Sequence, residues 1–192
     1  MKLTLLILLS LAVGAADRAE IVRDDKTLDC SLVQPRSFNL PIRADGLTSD
    51  GGGWAVAVGV KDGSTLLLTA YHIVEDSHTL KLRPVRVQID KQWHDCTLLR
   101  WDREKDLVLM CVKAKCDVIP IADSPGPKNA STSTYWMQIE GALPGWSGSG
   151  VLDTDGRLYG LIIRVAAMGN TPIIGEATCR PAPMLRAFVE GK

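Results

Sequence analysis

Apolar residues fall into short runs along the chain: Trp54 to Val60, Leu66 to Ala70, Val85 to Ile89, Cys96 to Trp101, Leu107 to Val112, Val118 to Ile121, Tyr135 to Ile139, Leu158 to Val165 and Pro172 to Gly175. Several alternate or are rich in β-branched residues, as strands are when successive side chains point to opposite faces. Between them lie turn sequences such as Lys61-Asp62-Gly63-Ser64 and Asp153-Thr154-Asp155-Gly156, whose Asp-Gly steps suit tight reversals. The pattern predicts an all-β, antiparallel protein. One helix is expected, from Pro181 to Glu190, where Met184, Leu185, Phe188 and Val189 recur at helical spacing behind a proline start. Asp17 to Arg36 is mixed and polar and reads as an N-terminal arm, and Asp123 to Ser133 collects Pro, Gly, Ser, Thr and Asn and reads as a surface loop.

The chain opens on Met1-Lys2, an apolar run from Leu3 to Val13, then Gly14-Ala15-Ala16 and polar Asp17, the order of an export signal cleaved after Ala15 or Ala16. The run is well short of the roughly 20 apolar residues that span a bilayer, so no stable membrane insertion is expected after cleavage, and the location is read as secreted or periplasmic. With 192 residues, 46% of them hydrophobic, there is material for one compact domain or two small barrels sharing an interface. A formal net charge of +0 supplies no basic field for nucleic acid.

Five cysteines, Cys30, Cys96, Cys111, Cys116 and Cys179, make an odd set, so at least one is free or pairs outside the chain. A hairpin reversing near Trp101-Asp102-Arg103-Glu104-Lys105 would set Cys96 opposite Cys111, as a bridge or as two reduced thiols. His94-Asp95-Cys96 lacks a second pair at zinc spacing, so neither a metal nor another cofactor is expected. Asn129-Ala130-Ser131 matches a glycosylation acceptor, a common chance tripeptide.

The chemistry lies in three segments. Ser147 sits in Gly145-Trp146-Ser147-Gly148-Ser149-Gly150; upstream lie His72, in Leu68-Thr69-Ala70-Tyr71-His72, and Asp106, in Lys105-Asp106-Leu107-Val108-Leu109. A serine hydroxyl is a poor nucleophile until an imidazole takes its proton, and the imidazole needs a carboxylate to hold its tautomer and its charged form. His78 and His94 lie outside these contexts, and Asp102 precedes Arg103 instead of an apolar strand. An α/β-hydrolase would carry its histidine after the serine, and none follows Ser147.

From about Asp50 to Val165 the chain resembles the chymotrypsin-fold serine proteases, in the style of bacterial and viral trypsin-like peptidases. Thr69-Ala70-Tyr71-His72 is similar to the family's Thr-Ala-x-His, Asp106-Leu107-Val108-Leu109 to its Asp-Leu-Ala-Leu, and Pro144 to Gly150 to its Gly-x-Ser-Gly segment. The resemblance implies a general base and acid at His72, an orienting carboxylate at Asp106, a nucleophile at Ser147 and an oxyanion hole from the amides of Gly145 and Ser147. It implies two antiparallel six-stranded β-barrels, and with the export signal, arm and helix read above the chain divides into a signal peptide at 1–16, the arm at 17–36, a first barrel at 37–115 carrying His and Asp, and a second at 116–192 carrying Ser together with the C-terminal helix. Residues 107–146 are few for the strands that normally precede the nucleophile, so the second barrel has room to be reduced.

The specificity pocket is expected from the segment before Ser147 and the strand after Asp155-Gly156, with Gly141, Trp146, Ile163, Arg164 and Val165 as its candidates. Arg164 would favour an acidic side chain and Glu140 a basic one. Trp146 stands where animal trypsins carry the aspartate that pairs with a newly cut N-terminus, so that activation is not expected. The expected activity is hydrolysis of protein or peptide substrates. The alternatives are a silent barrel that binds peptides in the same groove, and an esterase using the same three residues.

Overall fold

The structure, a computed structural model, describes residues 18–23, 26–31, 38–45, 52–123, 137–139, 145–168 and 171–192. In chain order the strands are β1 (Arg18–Arg23), β2 (Lys26–Ser31), β3 (Asn39–Ala44), β4 (Gly52–Lys61), β5 (Ser64–Thr69), β6 (Val85–Ile89), β7 (Gln92–Asp102), β8 (Leu107–Val112), β9 (Met137–Ile139), β10 (Gly150–Leu152), β11 (Leu158–Met168) and β12 (Thr171–Pro181). A single helical turn, α1 (Tyr71–Val74), follows β5, and α2 (Ala182–Glu190) closes the chain. The predicted export signal, Asn129, Tyr135, Trp136, Glu140 and Gly141 lie outside the described residues. No helix among the described residues is long and apolar enough to cross a membrane.

Six strands close into an antiparallel barrel in the order β3-β4-β5-β8-β7-β6, with β3 and β6 completing the ring through pairs such as Ile42↔Val87. Two-residue reversals at Asp62-Gly63 and Asp90-Lys91, all four with positive φ, join β4 to β5 and β6 to β7, as the twist of a hairpin demands. β6 shows the expected alternation, Val85, Val87 and Ile89 buried between half-buried neighbours. β4, β5 and β8 are apolar on both faces because each face has its own core. Ala55, Ala57, Leu67, Val108, Met110 and Val112 fill the barrel. Val56, Leu68, Leu107 and Leu109 point outward, against Leu158 and Leu161 of β11 and Met184, Leu185 and Phe188 of α2.

The second half is a six-stranded sheet in the order β10-β11-β12-β9-β1-β2. Its end strands β10 and β2 approach within 8 Å between Cα atoms, so the sheet curls toward a barrel without a ladder closing it. The N-terminal arm departs from expectation. Its polar residues form the hairpin β1–β2, which joins the sheet through Ile21↔Ile139. Strands missing from the short stretch between Asp106 and Ser147 thus come from the N-terminal side. Val118 to Ile121, expected as a strand, instead crosses between the halves, with one parallel bridge from Ile121 to Leu158 and the Ile119 amide donating to the Ala57 carbonyl at 2.8 Å.

α2 runs as the sequence predicts, from a Pro181 cap to Gly191 in the left-handed region (φ 85°). The hairpin carrying Cys96 and Cys111 also forms, but Cys111 is paired with Thr97 and the two thiols are free. Cys96 packs against the barrel core, whereas Cys111 lies between the inward Met110 and Val112 and so points outward. Burial pushes the Cys96 thiol up to about 12, and Cys111 adds to the shift, so it stays protonated.

Candidate active site

α1 is one turn long, too short to hold itself. The turn that precedes β8 holds it. The Tyr71 amide donates to the Asp106 carbonyl at 3.2 Å, and the His72 amide to Asp106 Oδ1 at 2.9 Å. Tyr71 donates its hydroxyl to Glu75 Oε1 at 3.1 Å, and Glu75 pairs with Arg103 Nε at 3.4 Å. These ties set His72 Nδ1 2.9 Å from Asp106 Oδ2 and 3.2 Å from Oδ1. An ionised carboxylate only accepts, so Nδ1 carries the proton and Nε2 presents its lone pair.

Burial alone raises the Asp106 carboxyl, but the hydrogen bond and charge of His72, its backbone amide and the charge of Arg180 outweigh it and hold the group below the usual 3.8. The His72 side chain is 47% exposed and that of Asp106 18%, which leaves the imidazole reachable and the acid sheltered. Asp106 has φ 54°, a left-handed conformation that a short polar side chain tolerates better than most.

The serine segment is a tight turn before β10. Gly145 and Gly148 take φ of 90° and 84°, and the Ser149 amide donates to the Trp146 carbonyl at 2.9 Å. β11 holds one side of the turn: the Gly148 amide donates to the Ile162 carbonyl at 2.7 Å, and the Ile162 amide to the Ser149 carbonyl at 2.8 Å. Trp54 of β4 holds the other, its amide donating to the Ser147 carbonyl and its indole Nε1 to the Gly145 carbonyl, both at 3.0 Å. The Trp54 carbonyl in turn accepts from Thr69 Oγ1 at 2.7 Å, and buried Asn39 accepts the Gly150 amide on Oδ1 at 3.0 Å.

Gly53 marks where the two segments meet. A Cβ on it would strike Ile73, the residue after His72, and lie 3.0 Å from the Ser147 carbonyl. The His72 ring hydrogen-bonds to Asp106 alone among the described residues. Among the described residues the amides of Gly145 and Ser147 donate to no backbone carbonyl.

His72 and Asp106 are brought together, and Ser147 is set on the neighbouring edge of β4. His78 and Asp102 serve local turns, the His78 amide bonding Asp76 Oδ1 at 2.8 Å and Asp102 bonding Lys105 Nζ at 2.6 Å. Among the pocket candidates, Trp146 is only 2% exposed and Ile163 belongs to the barrel core, so neither offers appreciable surface to a substrate, contrary to expectation. Arg164 is exposed on β11, and Val165 pairs with Ala177 of β12. Sequence reasoning passed over Trp54, Asn39 and Arg180, whose roles depend on distant segments folding against them. No group of three or more His, Cys, Asp and Glu side chains able to hold a metal ion occurs among the described residues.

No protein-family model matches the sequence, and no curated protein matches it. Solved structures do match. The Rv3671c protease from M. tuberculosis in its active form superposes with a TM-score of 0.61 at 13% identity over 80% of each chain. The HtrA-type protease AlgW, bound to a tripeptide, gives 0.64 at 16% identity over 81% of this chain and 60% of its own. A serine endoprotease from Yersinia pestis gives 0.61 at 16% identity over 81% of this chain and 62% of its own. The chain therefore has the fold of the trypsin-like serine proteases.

Proposed function

We propose that this chain is an exported serine endopeptidase. Ser147 Oγ attacks the scissile carbonyl carbon as its proton passes to His72 Nε2, and the new oxyanion takes hydrogen bonds from the amides of Gly145 and Ser147. His72 returns the proton to the departing amine, leaving an acyl group on Ser147, and then deprotonates the water that releases it. Asp106 holds the imidazole tautomer throughout. The observation that carries this reading is the Nδ1–Oδ2 hydrogen bond of 2.9 Å between His72 and Asp106, in a fold shared with serine proteases and beside a serine turn pinned by Trp54.

The substrate is a protein or peptide, and among the described residues exposed Arg164 is the candidate on the pocket side. Activation by a new N-terminal ion pair is not part of the mechanism. Trp146 is apolar and buried, and the first described residues are already engaged in β1.

A fluorophosphonate probe on the purified protein is expected to label Ser147 and to leave Ser147→Ala unlabelled, with casein cleaved only by the former. An unlabelled wild-type protein would mean a silent peptide-binding barrel, and labelling with turnover of simple esters alone would mean an esterase.

A further inference from the structure

Arg180 is a charged residue in the core, 3% exposed, at the end of β12 where it pairs with Leu161 of β11. Its side chain leaves the second sheet and crosses to the first barrel. There Nη2 donates to the Glu104 carbonyl at 2.9 Å and Nε donates to the Lys105 carbonyl. These carbonyls belong to the two residues immediately before Asp106, in the turn that gives Asp106 its left-handed φ of 54°. The rest of that turn is held from within, by the Asp106 amide on the Arg103 carbonyl at 3.3 Å and the Lys105 amide on Asp102 Oδ1 at 2.8 Å. Among the described residues, the charged groups around the guanidinium are Asp106 and Asp102, which favour its charge, and Arg164, which opposes it. Burying an arginine to satisfy two carbonyls is costly, since water would serve those carbonyls at a more open surface. The arrangement makes sense if a cation is wanted at this place.

We propose that Arg180 is a positioning residue of the His72–Asp106 pair: its two-pronged grip on the Glu104 and Lys105 carbonyls fixes the Asp106 turn and so aims the carboxylate at His72 Nδ1. The proposal rests on the endopeptidase reading for its catalytic meaning and couples the acid of the first barrel to the last strand of the second sheet. Arginine suits the task because its fork reaches two acceptors at once, which an ammonium on a flexible stem does not.

The test uses Arg180→Gln and Arg180→Lys in the otherwise unchanged chain, with Asp106→Asn as control. Three quantities are read: melting temperature, the kcat and KM of peptide cleavage with the fluorophosphonate labelling rate, and the intensity of the low-field His72 Nδ1–H proton resonance. Arg180→Gln is expected to lower kcat and labelling on the order of ten- to a hundred-fold, with KM changed less than about twofold, as misplacing an orienting group does. Its resonance should weaken, because the carboxylate that holds the Nδ1 proton is no longer fixed in place. Arg180→Lys loses one prong and keeps the other, so its rate and its resonance should fall between those of wild type and Arg180→Gln.

If folded Arg180→Gln labels at the wild-type rate with an undiminished resonance, Arg180 is only a strut and the proposal is wrong. Should Arg180→Gln fail to fold, Arg180→Lys decides: a wild-type rate with an undiminished resonance overturns the proposal. Failure of wild-type protein to label refutes the hydrolase reading instead. The proton resonance needs no competent Ser147 and still decides the role of Arg180.

Discussion

Gly148 and Gly156 both hold φ in the left-handed region, at 84° and 75°, yet they should answer differently to the same substitution. A Cβ at Gly156 meets nothing within 4 Å, so Gly156→Ala is expected to cost about 1–2 kcal/mol, the left-handed penalty alone. A Cβ at Gly148 would run into the Trp54 carbonyl and sit 2.8 Å from Thr69 Oγ1, two atoms hydrogen-bonded to each other beside the serine turn. Gly148→Ala should therefore lower the melting temperature further and abolish labelling of Ser147. Equal melting temperatures for the two variants, with labelling intact in both, would show that the turn is not held against Trp54. The glycines of this segment were legible as turn residues; the reason Gly148 must be glycine was not, since it lies in a strand more than ninety positions upstream.

At the scale of the element, the loop that follows α1 depends on Asp76. Its Oδ1 accepts the amides of His78 at 2.8 Å and Thr79 at 2.9 Å, and Oδ2 accepts from Arg83 Nη2 at 2.7 Å. The Thr79 and His78 amides lead in holding the carboxyl down at about 2, against its usual 3.8. A carboxylate depressed in the folded state stabilises it fully above 3.8, and that contribution disappears as pH falls toward about 2. Asp76→Asn should therefore flatten the decline of melting temperature across that interval, and a decline as steep as wild type would sink the assignment. α2 tells how elements were read from sequence: its bounds and its apolar stripe were visible because helical spacing is a local signal, and Leu185→Ala should cost about 2–5 kcal/mol in chemical denaturation through the cavity it leaves. β1 and β2 were invisible for the opposite reason. Their polar, aperiodic residues become strands by pairing with each other and with β9, a contact between residue 21 and residue 139 that no local window contains.

Across the whole molecule the same division holds. The order of His72, Asp106 and Ser147 could be read because each carries a short local motif, and the apolar runs of β4, β5 and β8 could be read as strands. The chain crossings that bind the halves could not. Val56, Leu68, Leu107 and Leu109 of the barrel share one core with Leu158, Leu161 and α2, and Ile163 of β11 reaches into the barrel's own core. Trp54, Asn39 and Arg180 add polar ties across the same boundary, at the serine turn, at Gly150 and at the Asp106 turn. A nucleophile and base carried on separate sheets keep their alignment only if those sheets behave as one body. Two halves with independent cores would melt separately, whereas a shared core makes their unfolding one event. Calorimetry is therefore expected to give a single transition with equal calorimetric and van't Hoff enthalpies, and loss of Ser147 labelling should coincide with it. A second transition, with labelling lost in the earlier one, would place the active site on a seam that opens before the barrel does and would remove the shared core from the account of how this site is held.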